Sequence, residues 1–146
     1  MPIPEGYQFD SVDNNTGEIV LKEKPKDVRL RFKTVNDVLA FHGWESEVTF
    51  NQQNIDLPSD VRAYMILRLL AESLNEGWQP NWDDEDEINY YPWFDMRGSS
   101  SGFRFGGCDC WLSNSTVGSR LCFKSQELAE YAGKQFVDVY RMLMVI

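Results

Sequence analysis

Residues 59–77 read SDVRAYMILRLLAESLNEG, and they carry the strongest structural signal in this 146-residue chain. Apolar side chains recur there at steps of three and four residues, which places them on one face of a helix: Val61, Tyr64, Leu67, Ala71 and Leu74. Ser59 can cap the first turn, Gly77 suits the left-handed end of a helix, and Pro80 prevents its resumption. The segment therefore predicts a helix from Ser59 to about Glu76 that packs along that face.

Downstream of this helix the sequence predicts a loop at residues 78–87 and then two strands. The first strand spans residues 88–94, and Pro92 within it requires a sheet edge or a bulge. In the second, Phe103 and Phe105 alternate, but the apolar positions continue on the opposite parity from Cys108 onward. A β-bulge at Gly106-Gly107 explains this shift, because it inserts one residue and restores the inward face.

The turns and the last helix complete the downstream pattern. Ser99–Ser101 predict the tip of a hairpin, and residues 114–119 predict a turn into a strand around Arg120–Lys124 that forms a further hairpin. Ser125 can cap the last helix, with Glu127 in its first turn. The apolar stripe of this helix is Leu128, Ala132, Phe136, Val139 and Leu143.

Upstream, the signals are shorter. Val28–Lys33 alternates strictly between apolar and basic residues, which predicts a half-buried strand with one basic face. Thr34, with Asp37 three residues later, predicts the cap of a short helix that ends at Gly43. Residues 44–57 are interpreted as irregular, with a short strand around Val48–Phe50.

The first 27 residues predict an N-terminal arm with one short strand, residues 18–22, after a turn at residues 13–17. The whole pattern indicates an α+β fold: a small, mostly antiparallel sheet with a bulged hairpin, packed by two long helices plus a short one. We therefore expect a single domain over residues 1–146, with the arm at residues 1–27 and the α+β core at residues 28–146.

Composition limits the classes of function. The chain is 42% hydrophobic and 14% aromatic, so it can bury a core, and one domain fits its length. Its apolar runs are too short to cross a bilayer, and its N-terminus lacks the pattern of a secretory signal, which predicts an intracellular protein without membrane contact. The net charge of −9 opposes broad binding to a phosphate backbone.

The three cysteines do not indicate a disulfide framework. Their number is odd, and Cys108 and Cys110 lie too close for an ordinary disulfide within one extended strand. Three thiols are also fewer than the four ligands of a structural zinc site. We expect reduced thiols that behave as small hydrophobic side chains, with no metal or cofactor and no catalytic residues.

Several motifs along the chain resemble a known protein family. They are NEGWQPNW at residues 75–82, YYPWF at 90–94, CDCW at 108–111, VGSRLCFKS at 117–125 and ELAEYAGKQF at 127–136. These motifs are similar to those of a family of small proteins encoded by phages, prophages and other mobile elements of gut anaerobic bacteria. The resemblance covers residues 59–141. It implies a protein of the host-cell cytoplasm and brings no established activity or catalytic residues.

An acidic run beside several aromatic residues is the leading candidate site. Five carboxylates occur in succession, and nine of the 20 aromatic residues lie between Trp78 and Trp111. Because adjacent strand residues point to opposite faces, Tyr90 and Tyr91 cannot both enter one core, and neither can Trp93 and Phe94. One set of rings can therefore be open to a partner. The candidate partner-binding residues are Trp82, Asp83, Asp84, Glu85, Asp86, Glu87, Tyr90, Tyr91 and Trp93.

Three hypotheses follow, and simpler interpretations stay open beside them: a hydrated acidic loop, aromatic packing and a solubilising basic edge. The first is a non-catalytic accessory protein of a mobile element that binds a protein partner, such as a host protein that normally grips nucleic acid. The second is a single-stranded nucleic-acid binder with an aromatic platform and a basic strand: Lys22, Lys24, Lys26, Arg29, Arg31 and Lys33. The third is an enzyme with a carboxylate or metal site, although the acidic run lacks the spacing of an EF-hand loop.

Overall fold

The order of helix and strand signals produces an α+β fold, which the computed structural model describes over residues 2–98 and 102–146. Within this part of the chain there are two antiparallel sheets of two strands each and five helices. The strands are β1 (Tyr7–Val12), β2 (Ile19–Glu23), β3 (Asn89–Asp95) and β4 (Arg104–Trp111). The helices are α1 (Val35–Phe41), α2 (Glu47–Gln53), α3 (Ser59–Asn75), α4 (Gln126–Gln135) and α5 (Val137–Met144). The predicted single sheet is thus two separate hairpins.

Helix α3 is the central element and packs against α1, α4 and α5. The predicted helix is confirmed, but its buried face is wider than the predicted stripe because helices cover it on several sides. Its buried apolar residues are Ala63, Ile66, Leu67, Leu70, Ala71 and Leu74. Val61 and Tyr64 lie at the exposed margin instead. Ser59 is the first helical residue and makes no capping hydrogen bond, so that part of the prediction was wrong.

Local capping explains the two short helices that precede α3. The Thr34 hydroxyl and the Asp37 carboxylate form the predicted capping box of α1, and Gly43 follows its end with a φ of +86°. The predicted strand around Val48–Phe50 is instead the middle of α2. Ser46 caps this helix by accepting a hydrogen bond from the Thr49 amide, and Phe50 is fully buried against Trp44. A serine cap therefore overrides the β preference of Val48 and Phe50.

The predicted strand Val28–Lys33 is absent from the described residues, where Val28–Leu30 form one turn of 3₁₀-helix. Asp27 accepts a hydrogen bond from the Arg29 amide and caps that turn. Val28 and Phe32 are buried, whereas Leu30 is exposed, so the apolar residues follow helical spacing rather than strand alternation. The Tyr131 hydroxyl of α4 lies 2.8 Å from the Phe32 carbonyl oxygen and holds the segment on the core.

Strands β3 and β4 form the predicted bulged hairpin. Trp93 pairs with Gly107 and Phe94 with Phe105, so Gly106 is the extra residue of the bulge. The inner face packs on α4, and Phe94 is buried there. The predicted strand Arg120–Lys124 is replaced by a single bridge, in which Phe123 exchanges two backbone hydrogen bonds with Tyr90. The predicted hairpin tip at Ser99–Ser101 lies outside the described residues.

The predicted C-terminal helix begins as expected but consists of two helices. The Ser125 hydroxyl accepts a hydrogen bond from the Leu128 amide at the start of α4. Phe136 leaves the helical conformation, with a φ of −112°, and separates α4 from α5. Its ring is buried, so the break places an aromatic side chain in the core at the junction. The chain then continues as α5, which packs against α3.

The N-terminal segment contains two strands, where the sequence predicted one. β1 and β2 form an N-terminal hairpin whose register shifts between Phe9 and Ser11. The Asp13 carboxylate accepts hydrogen bonds from the backbone of the turn, as its sequence predicted. Within residues 2–98 and 102–146, no helix has the length and apolar character needed to cross a membrane.

Candidate functional site

The acidic loop, defined as Asp83–Glu87, consists of turns rather than a regular element. The Asp84 amide donates to the Asn81 carbonyl at 3.1 Å, and the Glu87 amide donates to the Asp84 carbonyl at 3.3 Å. Glu87 also accepts a hydrogen bond from the Asn81 amide at 2.6 Å. These contacts tie the loop to itself and leave its carboxylates at the surface.

The five carboxylates of the acidic loop form no ion pair within residues 2–98 and 102–146. Arg31 and Lys124 both pair with Glu76, directly after α3, and not with the loop. Four of the five loop residues are exposed, and Glu87 is half-buried. The loop therefore presents a concentrated negative charge to any approaching molecule.

The outer face of the β3–β4 hairpin carries three aromatic rings. Tyr91 and Trp93 share this face with Trp111, since residues two apart and residues directly opposite point the same way. Trp93 is 48% exposed and Trp111 is 47% exposed. The Trp111 indole N–H donates to the Tyr91 hydroxyl, which fixes two of the rings relative to one another. We call these three residues the aromatic face.

The bulge of β4 creates the floor on which Trp93 lies. A Cβ at Gly106 would stand 2.3 Å from the indole ring, and one at Gly107 would stand 2.8 Å from its Nε1 atom. Only glycine allows the ring to rest this close to the backbone. The Gly106-Gly107 pair thus both shifts the register and seats the exposed indole.

The remaining candidate aromatics lie elsewhere. Tyr90 is on the inner face and packs against the buried core, so it does not join Tyr91. Trp82 precedes the acidic loop, and its indole N–H donates to the Ser119 hydroxyl at 2.7 Å. The structure thus separates the predicted site into an acidic loop, an aromatic face and a tryptophan that borders a cleft.

The six basic residues of the nucleic-acid hypothesis do not share a strand face. Lys22 lies on β2 and pairs with Asp10 at 2.7 Å, while Arg29 pairs with Asp27 at 2.7 Å. Arg31 pairs with Glu76 at 3.0 Å. Lys24, Lys26 and Lys33 are exposed in connecting segments. The predicted strand at residues 28–33, which was to align Arg29, Arg31 and Lys33 on one face, is replaced by a 3₁₀ turn, so these three residues do not form a basic strand face.

The thiols and the histidine lie in different surroundings. Burial is the main reason that the pKa of Cys108 rises to about 11, and the same holds for Cys122, whose pKa also rises to about 11. Both thiols therefore stay protonated at neutral pH. His42 Nε2 lies 2.9 Å from the Ser73 hydroxyl and 3.2 Å from the Leu69 carbonyl oxygen. In the part of the chain that the structure describes, no group of three or more histidine, cysteine or acidic residues is placed to hold a metal ion.

A cleft opens where the end of α3 meets the loop that follows it. Glu76 adopts a left-handed conformation and Gly77 has a φ of +84°, so the chain reverses and brings Trp78 back toward the helix. Asn75 is buried; its amide donates to the Cys122 carbonyl at 2.9 Å and accepts from the Lys124 amide at 3.0 Å. This side chain fixes residues 122–124 beside α3 and thereby positions the preceding residues at the cleft.

The cleft brings together side chains that sequence reasoning did not group. It has a volume of about 490 Å³, and its polar and aromatic lining includes Arg68, Glu72, Trp78, Trp82, Ser119 and Arg120. Trp82 alone belonged to the predicted set. One signal was present, because Arg68 and Glu72 are spaced one turn apart on the exposed side of the predicted helix.

Comparisons of this chain with protein-family models, with curated proteins and with solved structures found no match.

Proposed function

We propose that the chain is a non-catalytic accessory protein of a phage or other mobile element, and that it binds a basic protein surface in the host cytoplasm. The observation that carries this proposal is the uncovered aromatic face, where two indoles each expose nearly half of their surface. Tryptophan and tyrosine are enriched at protein interfaces because they combine a large apolar area with a polar group.

The acidic loop sets the charge of the partner. Its five carboxylates have no cation partner within the described ranges, so a basic surface would gain ion pairs without first breaking existing ones. A surface that normally grips the phosphates of nucleic acid meets this requirement, since an array of carboxylates presents negative charge in a similar way. The motif resemblance to mobile-element proteins supports a host protein as the target.

Affinity capture from a lysate of a gut anaerobic bacterium tests the proposal. The test variant replaces all five loop acids by their amides: Asp83→Asn, Asp84→Asn, Glu85→Gln, Asp86→Asn and Glu87→Gln. A matched control makes the same change in net charge at exposed acids elsewhere: Glu5→Gln, Glu18→Gln, Glu23→Gln, Glu45→Gln and Asp56→Asn. We expect a partner that the wild type and the control retain and that the loop variant loses.

Two further results bear on the same proposal. Capture should weaken as salt is raised, because ions screen exposed charges. Trp93→Ala should reduce capture of the same partner at constant net charge. Equal capture by the wild type and the loop variant would exclude the acidic loop as the contact.

A further inference from the structure

The cleft beside the end of α3 has the dimensions of a small-molecule site. Its volume of about 490 Å³ falls within the range of about 300–1,000 Å³ that is typical of such sites. Its walls come from α3, from the loop after Gly77 and from residues 119–120. Two hydrogen-bonded links hold these walls in place, one through Asn75 and one between Trp82 and Ser119.

Two arginines in the cleft form no ion pair within residues 2–98 and 102–146. Five of the eight arginines form ion pairs in the structure, namely Arg29, Arg31, Arg97, Arg104 and Arg141. Arg68 and Arg120 form none with the described residues, although acids outnumber cations by 23 to 14. Both line the cleft and both are exposed. A guanidinium binds phosphate through two parallel hydrogen bonds, so the pair suits a phosphate group.

Two indoles in the same cleft supply surfaces for a flat ring. Trp78 and Trp82 both line it, and the bond to Ser119 holds the Trp82 ring in a defined position. Any of the four nucleobases can stack on such rings, because every base has an aromatic face. Glu72 lies one helical turn from Arg68 and can accept hydrogen bonds from sugar hydroxyls or from an exocyclic amine.

We propose that this cleft binds a nucleoside monophosphate, with the base against an indole and the phosphate on Arg68 and Arg120. A free nucleotide fits better than a nucleic-acid strand. The chain carries a net charge of −9, and the acidic loop begins directly after Trp82, so each added phosphate increases the repulsion. This site is independent of the protein contact proposed above, because different residues carry it.

Titration of the full chain with AMP, GMP, CMP and UMP tests the proposal, with tryptophan fluorescence and calorimetry as readouts. We expect saturable binding with a dissociation constant below about 1 mM for at least one nucleotide. Adenosine, ribose 5-phosphate and inorganic phosphate should each bind at least about tenfold more weakly, because each lacks one half of the recognition. A short oligodeoxyadenylate should also bind more weakly than AMP.

Variants locate the binding. Arg120→Gln and Arg68→Gln should each weaken it about tenfold or more, since each removes a charge-assisted contact. Trp78→Ala should weaken it as well. The matched controls are Arg104→Gln and Tyr64→Ala, exposed residues outside the cleft, and these should leave the affinity unchanged.

Four outcomes would overturn the proposal. They are no saturation up to about 10 mM of any of the four nucleotides, equal affinity for adenosine and AMP, tighter binding of the oligonucleotide, and equal losses in the control variants. Circular dichroism of each variant separates lost binding from lost folding, and two independent arginine variants keep the test decisive if one of them fails to fold.

Discussion

Asn75 shows how one polar side chain can organise a fold from inside the core. It is 4% exposed, and both polar atoms of its amide are satisfied by backbone groups far away in the sequence. Without it, the buried Cys122 carbonyl and the part-buried Lys124 amide each lose a hydrogen-bond partner, and an unsatisfied buried group is costly. Its role is therefore to fasten residues 122–124 to the end of α3.

Asn75→Ala should destabilise the protein by about 3 kcal/mol, because it removes two hydrogen bonds and leaves their backbone partners unsatisfied. Urea unfolding followed by circular dichroism measures the loss. Asn54→Ala is the matched control, since the Asn54 amide makes one side-chain bond, to the Phe50 carbonyl, at a less buried site. Equal losses in the two variants would argue against the fastening role.

Asp95 gives the stability a defined dependence on pH. Its carboxylate is 12% exposed and bonds Arg97 at 2.7 Å and Arg104 at 2.6 Å. The hydrogen bonds from Arg97 hold the pKa of Asp95 well below its ordinary value of 3.8. As the pH falls, Asp95 therefore becomes protonated in the unfolded chain before it does so in the native state. Its contribution to the free energy of unfolding is complete above pH 3.8 and declines as the pH falls below that value.

The stability difference between the wild type and Asp95→Asn, measured from about pH 7 to about pH 3, should be constant at first and should shrink in acid. Thermal melts at several pH values provide the measurement. A difference that grows as the pH falls would contradict the assigned direction of the pKa shift.

At the scale of elements, the contact between α4 and the β3–β4 hairpin depends on one glycine. A Cβ at Gly133 would lie 2.6 Å from the Phe105 ring and 2.7 Å from the Pro92 Cβ. The helix thus approaches the inner face of the hairpin more closely than any larger residue allows. Glycine lowers the local stability of the helix, but its lack of a side chain allows this close packing.

Gly133→Ala should therefore destabilise the protein by about 1–3 kcal/mol through overpacking. The same change in an exposed helix stabilises by about 1 kcal/mol, so the sign is diagnostic. Gln126→Ala, at an exposed position of α4, is the control and should change the stability by less than about 0.5 kcal/mol. Chemical denaturation gives both values, and a stabilised Gly133→Ala variant would show that the contact is loose.

Elements with local determinants could be predicted from the sequence. The capping box at Thr34 and Asp37, the end of α3 at Gly77 and the bulge at Gly106-Gly107 each depend on neighbouring residues. Val28–Lys33 was assigned wrongly because an apolar residue at every second position also supplies the i, i+4 pair of Val28 and Phe32. Only the capping carboxylate of Asp27 and the contact from Tyr131 select the helical turn.

The candidate site was predictable in part for the same reason. The alternation in β3 correctly separated Trp93 from Phe94 and Tyr91 from Tyr90, since the side-chain period of a strand is local. The cleft was not predictable, because Arg68 and Arg120 line the same cleft only when Asn75 joins two segments that are distant in the sequence. The order of residue types along the chain does not indicate that these two segments lie side by side in the fold.

At the scale of the whole molecule, charge is distributed unevenly. The ion pairs occur at the N-terminal hairpin, at the 3₁₀ turn, at the end of α3, at the bulged hairpin and on α4 and α5, whereas the acidic loop has none within the described residues. The aromatic face lies on the β3–β4 hairpin, whereas the cleft is lined by α3, by the loop after Gly77 and by residues 119–120. The molecule can therefore offer a macromolecular contact and a small-molecule site at once.

The N-terminal hairpin has a practical consequence for how unfolding is observed. Its two strands contact mainly each other, most of its side chains are exposed, and a lone two-stranded hairpin is only marginally stable in water. All five tryptophans lie between Trp44 and Trp111, so none reports on this hairpin. A tryptophan-fluorescence melting curve is blind to its unpairing, whereas amide-proton exchange, residue by residue, would register the early release of residues 7–23.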